Sequence, residues 1–203
     1  MRIFRTPRFF RILFPSKTWG LLRKTNKVYL TFDDGPQPEI TEWVLNLLKQ
    51  YQIKATFFCV GENVVKHDEL FQRIIDDGHA IGNHSMRHER GTRTSLDEYV
   101  KSIDEADAHI QSSLFRPPYG RITLRQTWTL RRKYRIVMWS WLSYDYDHSV
   151  SIKRILSNAK KDVQGGDILV FHDNVKSFER LKEILPQFLK IVKSKGLNFG
   201  LLE

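Results

Sequence analysis

Apolar and polar positions follow two rhythms along the chain. Short runs rich in β-branched and aromatic residues recur at 28–32, 56–60, 79–82, 114–116, 136–139, 168–171 and 197–201, and read as strands. Between them, near 39–51, 68–77, 95–111, 121–133, 151–163 and 177–195, apolar residues recur every three or four positions, as in helices. In the first of these, Ile40, Trp43, Val44, Leu47 and Leu48 fall on one stripe. Ser95 with Glu98 three residues on forms a capping-box pattern, and Gly78 and Gly196 stand where a left-handed helix end favours glycine. Strands alternating with helices predict an α/β fold of parallel strands with right-handed crossovers, either an open doubly wound sheet or a closed barrel. No G-x-G-x-x-G follows the first strand, which argues against a dinucleotide-binding version.

In parallel α/β folds, ligands sit at the carboxyl ends of the strands. Chemically capable residues gather there. Asp33 and Asp34 close the first strand, and Asn83, His84 and His88 follow the third. Arg116, Pro117, Pro118 and Tyr119 end the fourth, Asp145 follows the fifth, and His172 and Asp173 end the sixth. Five strand ends converging on one rim predict a site.

His84 and His88 are four apart, and on a helical turn that spacing aims both imidazoles at one metal ion. The acids Asp33 and Asp34 sit on an extended strand end before Gly35-Pro36, so their side chains point in different directions. One carboxylate can bind the metal while its neighbour faces a water molecule. Two histidines and a carboxylate also serve non-haem iron oxygenases. A second carboxylate available as base, Arg116 to pair with it and His172 as acid favour hydrolysis instead.

TFDDGP at 31–36, the H-S-x-x-H of His84 to His88, RPPYG at 116–120 and VFHD at 170–173 together resemble the ordered motifs of the polysaccharide deacetylases. This is the NodB homology domain, carbohydrate esterase family four, and the likeness spans about 27–202. The resemblance implies a distorted (β/α)7 barrel of parallel strands with outer helices, and metal-dependent removal of N- or O-acyl groups from sugars. It implies Asp33 as general base, Asp34, His84 and His88 as metal ligands, and Arg116 as the group holding the base. The backbone N–H of Tyr119 would help bind the oxyanion, and His172 would be the acid, oriented by a carboxylate. The metal would be one divalent ion, Zn²⁺ first, with Co²⁺, Ni²⁺ or Mn²⁺ as alternatives. In WSWLSYDYD, Asp145 aligns with the family's orienting acid, with Asp147 as a nearby competitor, and Tyr146 replaces the usual Trp. Val170 replaces a Leu, and both changes concern residues expected to line the acyl pocket. Trp139 and Trp141, two apart, are expected mainly to pack, although one on the rim would stack on a sugar ring.

Charge then separates the chain into two parts. Of 33 basic residues, eight precede the first acid, Asp33, which leaves 25 basic against 23 acidic from there on. The expected organisation is a basic, aromatic arm over 1–26 and a near-neutral catalytic domain over 27–203. That distribution argues against nucleic acid as a partner. Arg2, Arg5, Arg8 and Arg11 alternate with Ile3, Phe4, Phe9, Phe10, Ile12, Leu13 and Phe14. This pattern would either pack on the barrel or, over 1–24, touch an anionic membrane. No apolar run approaches the roughly 20 residues of a membrane span, and arginines interrupt the only candidate signal sequence. The expected location is therefore the cytoplasm or its membrane face. The expected partner is an acetylated carbohydrate, such as a glycan containing N-acetylglucosamine. A lipid-linked or nucleotide-linked amino sugar, or a non-catalytic sugar-binding barrel, are the alternatives.

Overall fold

The computed structural model describes residues 2–7, 9–21 and 25–202. Arg8, Arg23 and Lys24 of the arm lie outside them. The chain runs α1 (Phe9–Leu13), β1 (Lys27–Asp33), α2 (Ile40–Tyr51), β2 (Thr56–Cys59), α3 (Gly61–Lys66), α4 (Asp68–Asp76), β3 (Ala80–Asn83), α5 (Leu96–Ile110) and β4 (Leu114–Phe115). It continues α6 (Leu124–Leu130), β5 (Arg135–Ile136), β6 (Trp141–Leu142), α7 (Ile152–Asp162), β7 (Ile168–His172), α8 (Phe178–Ser194) and β8 (Asn198–Phe199). The strands pair in parallel in the order β5-β4-β3-β2-β1-β7-β6, with β8 beside the start of β1. The sheet is a curled half-barrel with helices around it, as the barrel expectation requires.

Both faces of these strands are buried, which is why they read as apolar runs rather than alternating ones. On β1, Val28, Leu30 and Phe32 pack outward in the main core with Val44, Leu48, Leu185 and Phe188 of α2 and α8. Thr31 and Asp33 take the inward face. On β7, Leu169 and Phe171 pack outward, leaving Ile168, Val170 and His172 inward. The Ser95–Glu98 capping box opens α5 as predicted, and Gly78 and Gly196 adopt φ of 74° and 70°.

Three local expectations change. The run at 136–139 is not one strand: the chain leaves the sheet after Ile136 and re-enters at Trp141 on the other side of the gap. Trp139 and Trp141 therefore fall in different layers. Trp141 is fully buried among Phe4, Phe171 and Phe188, closed to any sugar, whereas Trp139 is part-exposed and lies on Gly120. The helix α3 also went unpredicted, six residues being too few to show a period.

The arm is part of the barrel. Arg5 bridges Trp141 antiparallel, with Thr6 N–H donating to the Ser140 carbonyl and Leu142 N–H to that of Phe4. Thr18 bridges Val137 in parallel, exchanging bonds with Ile136 and Met138. The arm thus covers the outer edges of β6 and of the chain leaving β5, filling the gap that the sheet leaves open. Among the described residues, no helix is long and apolar enough to cross a membrane.

Candidate active site

The parallel register brings Asp33 of β1 level with His172 of β7 at the carboxyl ends of adjacent strands. Asp33 is buried, and its Oδ1 lies 2.6 Å from Nη1 of Arg116, itself fully buried. The guanidinium also donates to Thr31 Oγ1 at 2.6 Å and to the Met138 carbonyl at 3.1 Å, and stacks over the Phe58 ring at 4.0 Å. These contacts satisfy a charge that would otherwise be costly inside the barrel, and they fix one carboxylate oxygen of Asp33.

Asp34 turns away from Asp33 through a left-handed backbone, φ 87°. Its Oδ2 accepts from Asn174 Nδ2 at 2.5 Å, and its carbonyl from Asn63 Nδ2 at 2.8 Å. Its Oδ1 faces Nε2 of His88 at 3.1 Å and Nε2 of His84 at 3.6 Å. The histidines do not ride a helix. His84 leaves β3, and Ser85 and His88 adopt φ of 63° and 58°, so the loop curls back to bring both rings together. Glu89 holds that loop, accepting from Ser85 Oγ at 2.7 Å, Ser102 Oγ at 2.6 Å and Arg87 N–H at 3.1 Å.

This cluster fits a divalent metal. One ligand atom from each of Asp34, His84 and His88 lies within 4.8 Å of the others. His84 Nδ1 lies 2.7 Å from the Arg116 carbonyl, which can only accept, so Nδ1 carries the proton and Nε2 presents a lone pair. Asp34 Oδ1 is buried without a hydrogen-bond partner. Lone pairs converging on a buried, unpartnered oxygen call for a cation. Burial raises the Asp34 carboxyl, but the imidazoles, when protonated at Nε2 and donating to it, outweigh this and hold Asp34 well below the usual carboxylate range, the same charge balance a cation would supply.

On the opposite side, His172 Nδ1 lies 2.8 Å from Asp145 Oδ1, while Asp145 Oδ2 accepts the His172 backbone N–H at 2.8 Å. Ser143 Oγ, at 2.7 Å, helps fix the fully buried Asp145. Burial pulls the imidazole pKa down, but Asp145 at contact distance, helped by Asp34 and Asp33, raises it to about 9. Asp147 is no competitor: it pairs with Arg2 at 2.6 Å. Tyr146 packs edge-on against His172, centroids 4.9 Å apart, and is 38% exposed. Val170 is buried on the inward face two residues before His172.

Tyr119 tilts over His88 with ring centroids 4.6 Å apart, its backbone left-handed at φ 59°. Among the described residues, none accepts a hydrogen bond from its N–H. Beneath the site, Asp173 accepts from Gly35 N–H at 3.1 Å and Thr41 Oγ1 at 2.6 Å. A Cβ on residue 35 would lie 2.1 Å from Asp173 Oδ2, so only glycine fits there. Asn174, Asn63, Ser143, Thr31 and Glu89 escaped sequence reasoning, since no spacing rule marks a residue that only orients another.

The model of the polysaccharide deacetylase family matches residues 22–139. The chain belongs to the polysaccharide deacetylase family. By that membership it is a carbohydrate deacetylase, of the hydrolase class. Two Bacillus cereus peptidoglycan-N-acetylglucosamine deacetylases are similar to it. One is 35% identical over 85% of this chain and 66% of its own length, and the other 31% identical over 90% and 89%. A solved peptidoglycan N-acetylglucosamine deacetylase, in complex with an N-oxidanyl-benzamide, superposes on this family member with TM-score 0.83. It is 32% identical, covering 97% of this chain and 95% of its own.

Proposed function

We propose that this deacetylase removes N-acetyl groups from a glycan containing N-acetylglucosamine, with Asp33 as base and His172 as acid. The observation that carries this reading is the pairing of two dyads around one ligand cluster. Asp33–Arg116 at 2.6 Å and His172–Asp145 at 2.8 Å stand on adjacent strands, beside Asp34, His84 and His88. Those three would hold the metal, zinc being the ion that best suits two imidazoles and one carboxylate. When bound, it supplies Lewis acidity toward the scissile carbonyl and lowers the pKa of a water.

Asp33, with one oxygen held by Arg116, accepts a proton from the attacking water as the water oxygen bonds to the acyl carbon. The Tyr119 N–H donates to the carbonyl oxygen as charge gathers there. His172, kept cationic by Asp145, gives its proton to the sugar nitrogen as the C–N bond breaks. Acetate and a free amine leave. Tyr146, on the His172 ring, and Val170, buried below it, would bound the acyl group, and Trp139 would border the sugar.

Acetate release from N-acetyl chitooligosaccharides and peptidoglycan tests the reading, with acetylxylan as the O-acetyl comparison. A zinc-loaded protein that releases acetate from none of them would leave the non-catalytic sugar-binding barrel. One observation favours a membrane contact: Phe9, Ile12 and Leu13 of α1 share a face and are 52%, 79% and 63% exposed. That helix follows Thr6, bonded just ahead of β6, and its Arg11 lies on Gly20 beside Gly166, just ahead of β7. It sits at the amino ends of the strands, facing away from the catalytic rim. A lipid-linked substrate in the same bilayer is therefore disfavoured. Sedimentation with anionic vesicles, lost in Ile12→Ser, tests the contact itself.

A further inference from the structure

The loop that carries Asp145 is held from outside by the beginning of the chain. Tyr144, immediately before Asp145, is left-handed with φ 55°, a conformation an aromatic residue adopts only under constraint. Its hydroxyl donates to the Ile3 carbonyl at 2.9 Å. Phe4, buried, meets its ring edge-on at 5.1 Å, and the Arg2 guanidinium lies 5.9 Å from the ring centroid. Arg2 also pairs with Asp147 at 2.6 Å, and Leu142 N–H donates to the Phe4 carbonyl at 2.9 Å. Leu142, Tyr144 and Asp147 thus bracket Asp145, and each is tied to residues 2–4. On its far side Asp145 is held by Ser143, and its carbonyl accepts from Arg180 Nε at 2.9 Å.

We propose that Arg2, Ile3 and Phe4 are positioning residues for the acid pair: they keep Tyr144 left-handed and so keep Asp145 in line with His172. Thr18, farther along the arm, bonds Met138, whose carbonyl accepts from Arg116, whereas Arg2, Ile3 and Phe4 hold the loop of Asp145, so the effect argued for these three residues falls on the acid pair. Tyr146 extends the same stack, its ring 6.1 Å from Tyr144 and 4.9 Å from His172. The inference rests on the proposed role of His172 as acid, and its test is chosen to stand apart from that role.

The charged groups around His172 are Asp145 in the β6–α7 loop and Asp33 and Asp34 at the end of β1, with the Tyr146 phenol alongside. Loosening only the first should lower the imidazole pKa. The experiment follows the His172 imidazole by nuclear magnetic resonance across pH in the zinc-loaded full chain, beside the pH profile of acetate release. Tyr144→Phe removes one hydrogen bond to Ile3 and is expected to lower the His172 midpoint by about half a unit. The alkaline limb of kcat/KM should move with it, while the acid limb and the zinc content stay in place. Asp147→Asn, on the loop surface, should act in the same direction without risk to folding, and Asp147→Glu should restore the midpoint. A His172 midpoint unchanged in both variants, even with reduced thermal stability, overturns the proposal. Because that midpoint is read without turnover, a wild-type protein that releases no acetate would count against the function and leave this test standing.

Discussion

Replacing Asp145 with Asn tests the acid assignment most directly, because against the lowering effect of burial Asp145 is the largest group raising His172, ahead of Asp34 and Asp33. Asn is nearly isosteric, so its amide oxygen can keep the bond from the His172 backbone N–H, while its NH2, in place of the other oxygen, donates to Ser143 Oγ instead of accepting from it. What disappears is a full charge 2.8 Å from the imidazole. In the wild type, burial lowers the imidazole and Asp145 more than reverses this, for a net rise from 6.5 to about 9. That rise corresponds to roughly 3 kcal/mol favouring the cation. Without Asp145 the midpoint should fall to the ordinary value of about 6.5 or below. At pH 8 the fraction carrying the acidic proton would then drop from about nine-tenths to about 3%, a roughly thirtyfold loss of the active form. The assay is kcat/KM for acetate release across pH, with the alkaline limb expected to move down by about two and a half units. Stability should follow. A histidine whose pKa is raised by folding stabilises the fold fully below its unfolded value and loses that contribution as pH rises through its folded one. Urea unfolding of the wild type should therefore weaken between pH 6.5 and about 9, and that of Asp145→Asn much less. An alkaline limb unmoved by the substitution would refute the reasoning.

Asp33→Asn should abolish turnover while leaving metal content intact, and His84→Ala should lose the metal itself, both read by elemental analysis beside acetate release. Gly35→Ala should destabilise the fold by about 3 kcal/mol and disturb Asp34, since its methyl would meet Asp173; thermal unfolding checks this. Asp173 is raised to about 8, chiefly by burial, so its folded site favours the neutral carboxyl. Stability from this group is greatest below its unfolded pKa and declines as pH rises through about 8, and Asp173→Asn should remove that decline in urea titrations.

Most of the barrel was legible because helices and buried strands write their periods locally. The strand ends then located Asp33, Asp34, His84, His88, Arg116, Asp145 and His172 on one rim. What escaped depends on contacts between distant segments. Strand β6 is two residues long and exists because β7 pairs with one edge and the arm covers the other. Trp141 looked like its neighbour Trp139 until the chain was seen to leave the sheet between them. The spacing of His84 and His88 was informative for a reason other than the expected one, since two left-handed residues rather than a helical turn bring the rings together. Asn174 carries no motif, yet its amide directs one oxygen of Asp34 and leaves the other free for the histidines.

The closing of the seam by the first segment has a consequence for biosynthesis. Phe4, Arg5 and Thr6 leave the ribosome well before their partners: Ser140, Trp141 and Leu142 follow more than 130 residues later, and Asp167 later still. At about 5–20 residues per second, residues 4–6 wait on the order of ten seconds for a surface to dock on. Until then the edge they will cover does not exist. Residues 4–6, made long before their partners, are among the last parts of this fold to find their place.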